Sequence, residues 1–334
     1  MKKLPVALFI FKRSQTLPKI FEKIRNYAPE VVYLIADGHR DDTEKLQVEE
    51  TRLIAESLID WKCEVVKNYA DENRGVYENI GQGANWVFEK EEKAIFLEDD
   101  NLPEDSFFIF CEELLEKYKN NESVFWVCGT NYLESYDITN DYVFTKHMLP
   151  CGWASWASKY QKYYDGELKL FSEESIQDLK RKYDNRSLFA QDLDNFYKTK
   201  RLLETDRRKS SWDRQVAFTL RFHDLLGISP VKNQIRNIGV DEHSTHGGNS
   251  LKKTMTQRFC ELNTFPISFP LRHPKSISVD KVYDSKVEKI ILLPASKRIL
   301  MKIMYFIKPI LGLRRDESLV LWLQEKRSTN AKRK

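Results

Sequence analysis

The sequence predicts an α/β protein built on a mainly parallel, doubly wound sheet with helical additions towards its C-terminal end. Three observations carry that expectation. From Pro5 to Gly129, short apolar runs alternate with amphipathic segments of helical length, the pattern of strands joined by crossover helices. The runs are apolar without a break, as parallel strands covered on both faces must be. Between Ser172 and Leu226 the pattern becomes helical and charged instead.

In chain order, Pro5–Phe11 is a first strand, and Leu17–Tyr27 a helix with Pro18 in its first turn, where the missing N–H costs nothing. Val31–Ala36 is a second strand, Thr43–Leu58 a second helix and Trp61–Asn68 a third strand. Val76–Glu89 has the spacing of a third helix and leads to a fourth strand, Ala94–Leu97. Asn101 to Asp105 then start a helix that runs over Glu104–Tyr118, with Pro103 in the turn and acids in the first turn. Val124–Gly129 is another strand, and helices are expected at 172–183, 187–205 and 211–225.

Composition narrows the function classes. A hydrophobic content of 41% in 334 residues supplies a core, so disorder is not the default. Cys63, Cys111, Cys128, Cys151 and Cys260 are odd in number and unpaired in spacing, which argues for reduced thiols rather than a zinc site or a disulfide framework. No signal-peptide pattern opens the sequence, and no apolar stretch is long enough to span a bilayer. The net charge of +4 is concentrated at one end: Ala295–Lys334 holds 11 Lys and Arg against 3 Asp and Glu, leaving 43 basic and 47 acidic residues elsewhere. The body of the chain therefore lacks the footprint of a nucleic-acid binder. Gly81-Gln82-Gly83 lies inside a helical pattern with Trp86 at the third position, so it is not a dinucleotide loop. There is no Walker loop, and the segment after Phe11, Lys12-Arg13-Ser14-Gln15-Thr16, contains no glycine.

The most informative motif is Glu98-Asp99-Asp100, directly after the fourth strand. Three adjacent like charges repel, and a fold tolerates them best where a cation or a metal-bound polyphosphate compensates. Ligands of open α/β sheets bind at the carboxyl ends of strands. The plainer alternative is one capping acid and two solvated ones.

A sheet of this kind ending its fourth strand in acid-Asp-Asp resembles the GT-A glycosyltransferases, in particular the N-acetylglucosaminyltransferase I type and bacterial family-2-like sugar transferases. Six blocks in the correct order carry the resemblance over roughly residues 5–250. It implies that the end of the first strand, with Phe11 and Arg13, approaches the uracil of a UDP-sugar donor, and that Asp37, ending Leu34-Ile-Ala-Asp37-Gly38, reads the base; the competing readings are a surface cation for Arg13 and the cap of a turn with Gly38 for Asp37. It makes Asp100 the ligand of a Mn²⁺ or Mg²⁺ ion, with Glu98 and Asp99 on donor hydroxyls, and the helix after Pro103 the one beyond the metal motif. It sets Gly152 and Trp153, in Leu149-Pro-Cys-Gly152-Trp153-Ala-Ser-Trp156, on the acceptor side. It makes Trp212 and Asp213, in Ser211-Trp212-Asp213, the pair containing the catalytic base. It assigns Ile238-Gly239 and Ser244-Thr245-His246-Gly247-Gly248 to a loop closing over the nucleotide, with His246 either reaching the diphosphate or metal or remaining a surface histidine. Arg214 stands where that family has a second aspartate. For Asp213 the competing reading is a capping box, Ser210-x-x-Asp213. Arg74 and Asn79 either line the donor site or cap the third helix, and Trp153 and Trp156 either offer a flat face to a sugar or belong to the core.

The resemblance implies a GT-A domain over residues 1–285, with a donor half at 1–130 and an acceptor half at 131–285, followed by a basic tail at 286–334. The implied activity is inverting transfer from a nucleotide-diphosphate sugar to a surface-glycan or lipid-linked saccharide. A sugar-1-phosphate nucleotidyltransferase and a non-catalytic carbohydrate-binding protein are the rivals. From Ser296 to Arg315 the tail is amphipathic: Ile299, Leu300, Ile303, Met304, Phe306 and Ile307 share one face, Lys297, Arg298, Lys302 and Lys308 the other, and Pro309 ends the helix. Such a helix either lies on an anionic membrane or packs on the domain. The expected location is the cytoplasm, and the inner face of the membrane where the tail is the membrane-binding kind.

Overall fold

The computed structural model describes residues 3–240, 258–314, 317 and 322. Ten strands are present among them: β1 Val6–Ile10, β2 Val31–Ala36, β3 Glu64–Tyr69, β4 Lys93–Glu98, β5 Asn101–Pro103, β6 Val124–Cys128, β7 Tyr142–Thr145, β8 Trp153–Trp156, β9 Leu226–Pro230 and β10 Ile235–Asn237. Eight form one sheet in the order β3-β2-β1-β4-β8-β6-β9-β7, and β10 pairs with β5 as a separate ribbon. The α/β class is as the alternation predicts. β1 runs parallel to β2 and β4, and β2 to β3. The farther half departs from a parallel sheet: β8 lies antiparallel between β4 and β6, and β7 antiparallel to β9.

Helices cover both faces. On one side α1 (Leu17–Tyr27), α2 (Asp42–Ser57) and α4 (Asp105–Lys117) close a core around Val6, Leu8, Leu34 and Leu97. α1 shows why its segment is helical: Leu17, Ile20, Phe21, Ile24 and Tyr27 make one buried stripe, a proline opens the first turn, and Ala28 ends it in the left-handed region at φ 46°. The other face is covered by α3 (Gly83–Phe88), α5 (Ala157–Tyr163), α8 (Asp213–Phe222) and α9 (Lys281–Ile291), over Ala7, Phe9, Phe96 and Trp126. A third cluster joins α6 (Glu173–Arg181) and α7 (Arg186–Thr205) to α8. A further helix, α10, spans Ala295–Ile310.

Several expectations are corrected. Asn101 does not start a helix; Asn101–Pro103 is strand β5, whose partner β10 comes from Ile235–Asn237, far later in the chain. The helix expected over Val76–Glu89 begins as a π-helix, Tyr77–Gln82, before α3. Strands β7 to β10, α5 and α9 were not anticipated. Pro309 lies within α10, which ends one residue later at Ile310. A proline removes one bond to the preceding turn and crowds it, a cost confined here to the last turn of the helix.

Candidate functional site

The acidic cluster is positioned by a parallel pair. β1 and β4 are neighbours with Phe9 opposite Glu98, so the segments leaving both strands emerge side by side. The Phe11 N–H donates to Asp99 Oδ2 at 2.9 Å. Arg13 reaches across with Nη1 and contacts Asp99 Oδ1 at 3.1 Å and Asp100 Oδ2 at 3.0 Å. The Thr16 hydroxyl, also on that loop, donates to the Asp99 carbonyl. Phe11, Arg13, Asp99 and Asp100 are therefore brought together.

Asp100 is held from three more sides. Asn101 Nδ2 donates to its Oδ1 at 2.6 Å, and the Ile238 N–H to its carbonyl at 2.8 Å. Gly239 packs so closely that a Cβ there would lie 2.5 Å from Asp100 Oδ2. Asn101 in turn accepts the Gly152 N–H on Oδ1 at 2.8 Å. Sequence reasoning overlooked Asn101, although its adjacency to the triplet was the available signal. Gly152 sits at φ +59°, with a would-be Cβ 2.5 Å from Ile235. It supports the cluster through Asn101.

The electrostatics report concentrated negative charge. Burial, then the charges of Asp100 and Asp99, hold the Glu98 carboxyl well above its ordinary range, with Arg13 pulling it down and Asp213 pushing it up. Burial raises Asp99 to about 6 against the pull of Arg13. The Cys151 thiol is raised by burial and then by Asp100 and Glu98. Three acids thus crowd the Arg13 guanidinium. Among the described residues no group of three or more His, Cys, Asp and Glu side chains is arranged to enclose a metal ion.

Asp213 opens α8, half-buried, and its charge is felt by Glu98 and by Tyr132. The capping box anticipated from Ser210 is not formed: the residue before the helix is Trp212, without a side-chain cap, and it is the Ser211 hydroxyl that bonds to Asp213 Oδ1. Trp212 is buried. It stacks on Trp153, ring centres 5.7 Å apart.

For three other residues the structure follows the plainer of the two readings. Trp153 is 1% exposed and sandwiched between Phe96 and Trp126 at 4.0 and 4.2 Å, so its faces are taken by the core and not offered to a sugar. Trp156 is buried likewise, its Nε1 donating to Leu115. Asp37 is buried, and its Oδ1 accepts the N–H groups of Gly38 and Arg74 at 2.8 and 2.7 Å. Its Oδ2 accepts from Gly75 N–H at 3.0 Å and Asn73 Nδ2 at 2.9 Å. A carboxylate has about four acceptor positions, so Asp37 is filled by the loop it organises and has none left for a base. Arg74 is tied by its guanidinium to Ala36 O, Asn68 Oδ1 and Asn79 Oδ1. Arg74 and Asn79 therefore brace the start of the π-helix, at the same sheet end as the acids. His246, with Ser244, Thr245, Gly247 and Gly248, lies outside the described residues. A separate cavity of about 180 Å³, lined by residues that include Tyr77, Gln82, Tyr164 and Glu167, contains none of the predicted site residues.

No family model matches this chain, and no curated protein matches it. Solved structures similar to it include a UDP-glucose pyrophosphorylase complexed with UDP-glucose, at 10% identity and a TM-score of 0.35, covering 71% of this chain and 94% of that one. Mouse xyloside xylosyltransferase 1 matches at 10% identity and 0.33, covering 66% and 82%. The 4-diphosphocytidyl-2C-methyl-D-erythritol synthase of Anaerococcus prevotii DSM 20548 matches at 13% and 0.32, covering 56% and 87%. Likeness at this level leaves the chemistry to be argued from the residues of this chain.

Proposed function

We propose that this chain is a metal-dependent glycosyltransferase, moving a sugar from a nucleotide-diphosphate donor, a UDP-sugar, to a surface-glycan or lipid-linked saccharide with inversion. The observation that carries the reading is the junction of β1 and β4, where Glu98, Asp99 and Asp100 converge beside Arg13. Burial first, and then the neighbouring acids, hold Glu98 and Asp99 above their ordinary range, and hard oxygen donors crowded in this way fit Mg²⁺ or Mn²⁺. Asp100 would hold such an ion in this reading, as one carboxylate of a hard-oxygen set to which the donor's phosphates would contribute. A bound cation supplies charge neutralisation for the departing nucleoside diphosphate.

The protein's own groups do the remaining work. Asp99, fixed by the Phe11 N–H and Arg13, holds the two strand ends in register and aims Asp100. Glu98 accepts a hydrogen bond from a donor hydroxyl. Asp213, oriented by Ser211, receives the proton of the acceptor hydroxyl as that oxygen attacks the anomeric carbon. Asp37, Asn73 and Arg74 shape the loop against which the base stacks or bonds through main-chain groups.

Thermal-shift titration with UDP and with a panel of UDP-sugars, with and without Mn²⁺, tests the proposal. Specific binding to the folded state raises the midpoint by mass action. A rise that needs both nucleotide and cation is expected. Midpoints unmoved by every UDP-sugar plus Mn²⁺ overturn the reading.

A further inference from the structure

Helix α10 is turned the wrong way for a helix that belongs to a solvated domain. At 3.6 residues per turn, Ile299, Ile303, Phe306 and Ile310 project within an arc of about 60°. They are 59, 49, 77 and 72% exposed, and Leu300 beside them is 56% exposed. On the opposite face Lys308 is buried, and Arg298 and Tyr305 are half-buried. The helical projection of the sequence groups the apolar residues correctly; the structure adds that this grease faces outward. Single exposed apolar residues are ordinary, but a continuous stripe of five on one helix marks a surface that something covers.

The charge around the stripe selects the covering. Lys297 and Lys302 are exposed on the same helix, and the segment from Ala295 onward carries the excess of 11 basic over 3 acidic residues. The helix is 16 residues long and contains four cations, so it cannot cross a bilayer; among the described residues no helix is long and apolar enough to do so. An apolar stripe bordered by lysines on a helix of this length suits the headgroup boundary, with side chains in the acyl region and ammonium groups among phosphates.

The attachment of the helix fits such a role. The preceding α9 is fixed to the body by Tyr283 and Val287, both 0% exposed, and by Asp284, which accepts from Thr145 Oγ1 and the Lys146 N–H. Its end is pinned by Arg258, which donates to the Leu292 carbonyl at 2.8 Å, and by Gln191, which accepts the Leu293 N–H at 2.8 Å. Pro294 then separates it from α10. A firmly anchored helix thus presents a second one with its apolar side out. We infer that α10 is a docking surface for an anionic phospholipid membrane, inserted through Ile299, Ile303, Phe306 and Ile310 and held by the basic residues of the tail. The inference does not depend on the activity proposed above.

Flotation of the full chain with vesicles decides it, using phosphatidylcholine alone and phosphatidylcholine mixed with phosphatidylglycerol. The native chain is expected to float with the mixed vesicles, weakly with the neutral ones, and less as salt screens the charges. The double variant Ile303→Asp and Phe306→Asp, altered only at exposed positions, should fold with an unchanged melting midpoint. It should partition into mixed vesicles on the order of a hundredfold less, about tenfold per apolar contact removed. Native protein that stays at the bottom of the gradient with both vesicle types overturns the inference, as does a double variant that floats equally well. A dimer that the same two substitutions convert to a monomer, with no flotation, would assign the stripe to a second copy of the chain and overturn it too.

Discussion

Replacing Asp37 by asparagine separates two roles for this residue, because the exchange keeps its shape and removes half of its acceptor capacity. In the native chain Oδ1 serves Gly38 and Arg74, while Oδ2 serves Gly75 and Asn73. A side-chain amide has one oxygen, so in either orientation two donors are kept and two meet an N–H group. Asn73 cannot turn to compensate without giving up its 3.1 Å bond to the Gly38 carbonyl. Hydrogen bonds to a charged group contribute about 1.5–3 kcal/mol each, so two lost bonds cost roughly 3–6 kcal/mol. Burial holds the native carboxyl above its ordinary range, and relief of that desolvation offsets some of the loss, leaving a net cost of about 2–4 kcal/mol. For a domain of this size that corresponds to a fall in melting midpoint of roughly 4–12 °C. Thermal unfolding with and without UDP measures both the stability and the nucleotide response. A midpoint equal to that of the native chain, with UDP stabilisation lost, would refute the bracing role and return Asp37 to direct recognition of the base.

Other outcomes follow from the same geometry. Asp213→Asn should keep UDP binding while UDP release from a UDP-sugar in the presence of acceptor falls by about 10²–10⁴-fold; undiminished turnover would remove Asp213 from the chemistry. Gly239→Ala sets a methyl group 2.5 Å from Asp100 Oδ2, so the manganese-dependent part of the UDP thermal shift should be lost, with stability lowered by only about 1–3 kcal/mol. An unaltered manganese response would show that Asp100 does not act there. Asp284, raised by burial to about 6 from 3.8, favours the protonated folded state, so its contribution is whole below the unfolded value and is lost as pH rises through the folded one. Relative to the native chain, Asp284→Asn should therefore gain about 2 kcal/mol between about pH 4 and pH 7. Urea unfolding at the two pH values measures it, and a constant difference contradicts the burial argument.

Much of the framework before Thr130 is legible because its signals are local. β1, β2 and β4 are apolar throughout their buried lengths, and α1 matches its expected limits because a five-residue stripe, a proline and a chain reversal all agree. β5 and β10 were hidden because they are three-residue pieces that exist only through pairing with each other. The acid triplet stands out in the sequence by its three adjacent like charges, and a turn cap at Gly38 is legible for Asp37, whereas the rest of what Asp37 holds is not. Its partners Asn73, Arg74 and Gly75 lie far along the chain, and a carboxylate at a strand end has the same sequence signature whether it faces a ligand or a loop. Trp153 misled for a related reason. A Gly-Trp pair reads as a carbohydrate surface, and only the tertiary stacking of Phe96 and Trp126 consumes both faces of the ring. The capping box at Ser210 failed by a single residue of register, since Ser211 and not Ser210 meets Asp213.

The antiparallel strand β8 has a consequence for how the chain is made. It is hydrogen-bonded to β4 on one side and β6 on the other. While the segment up to Thr130 leaves the ribosome, the backbone groups of Lys93 to Phe96 that β8 will cover therefore stand bare along the edge of the nascent sheet, where β4 is the outermost strand. An uncovered, apolar strand is adhesive towards other chains. Synthesis must continue past Trp156 before the early portion becomes safe from aggregation, and expression of a fragment ending at Thr130 would leave that seam permanently open.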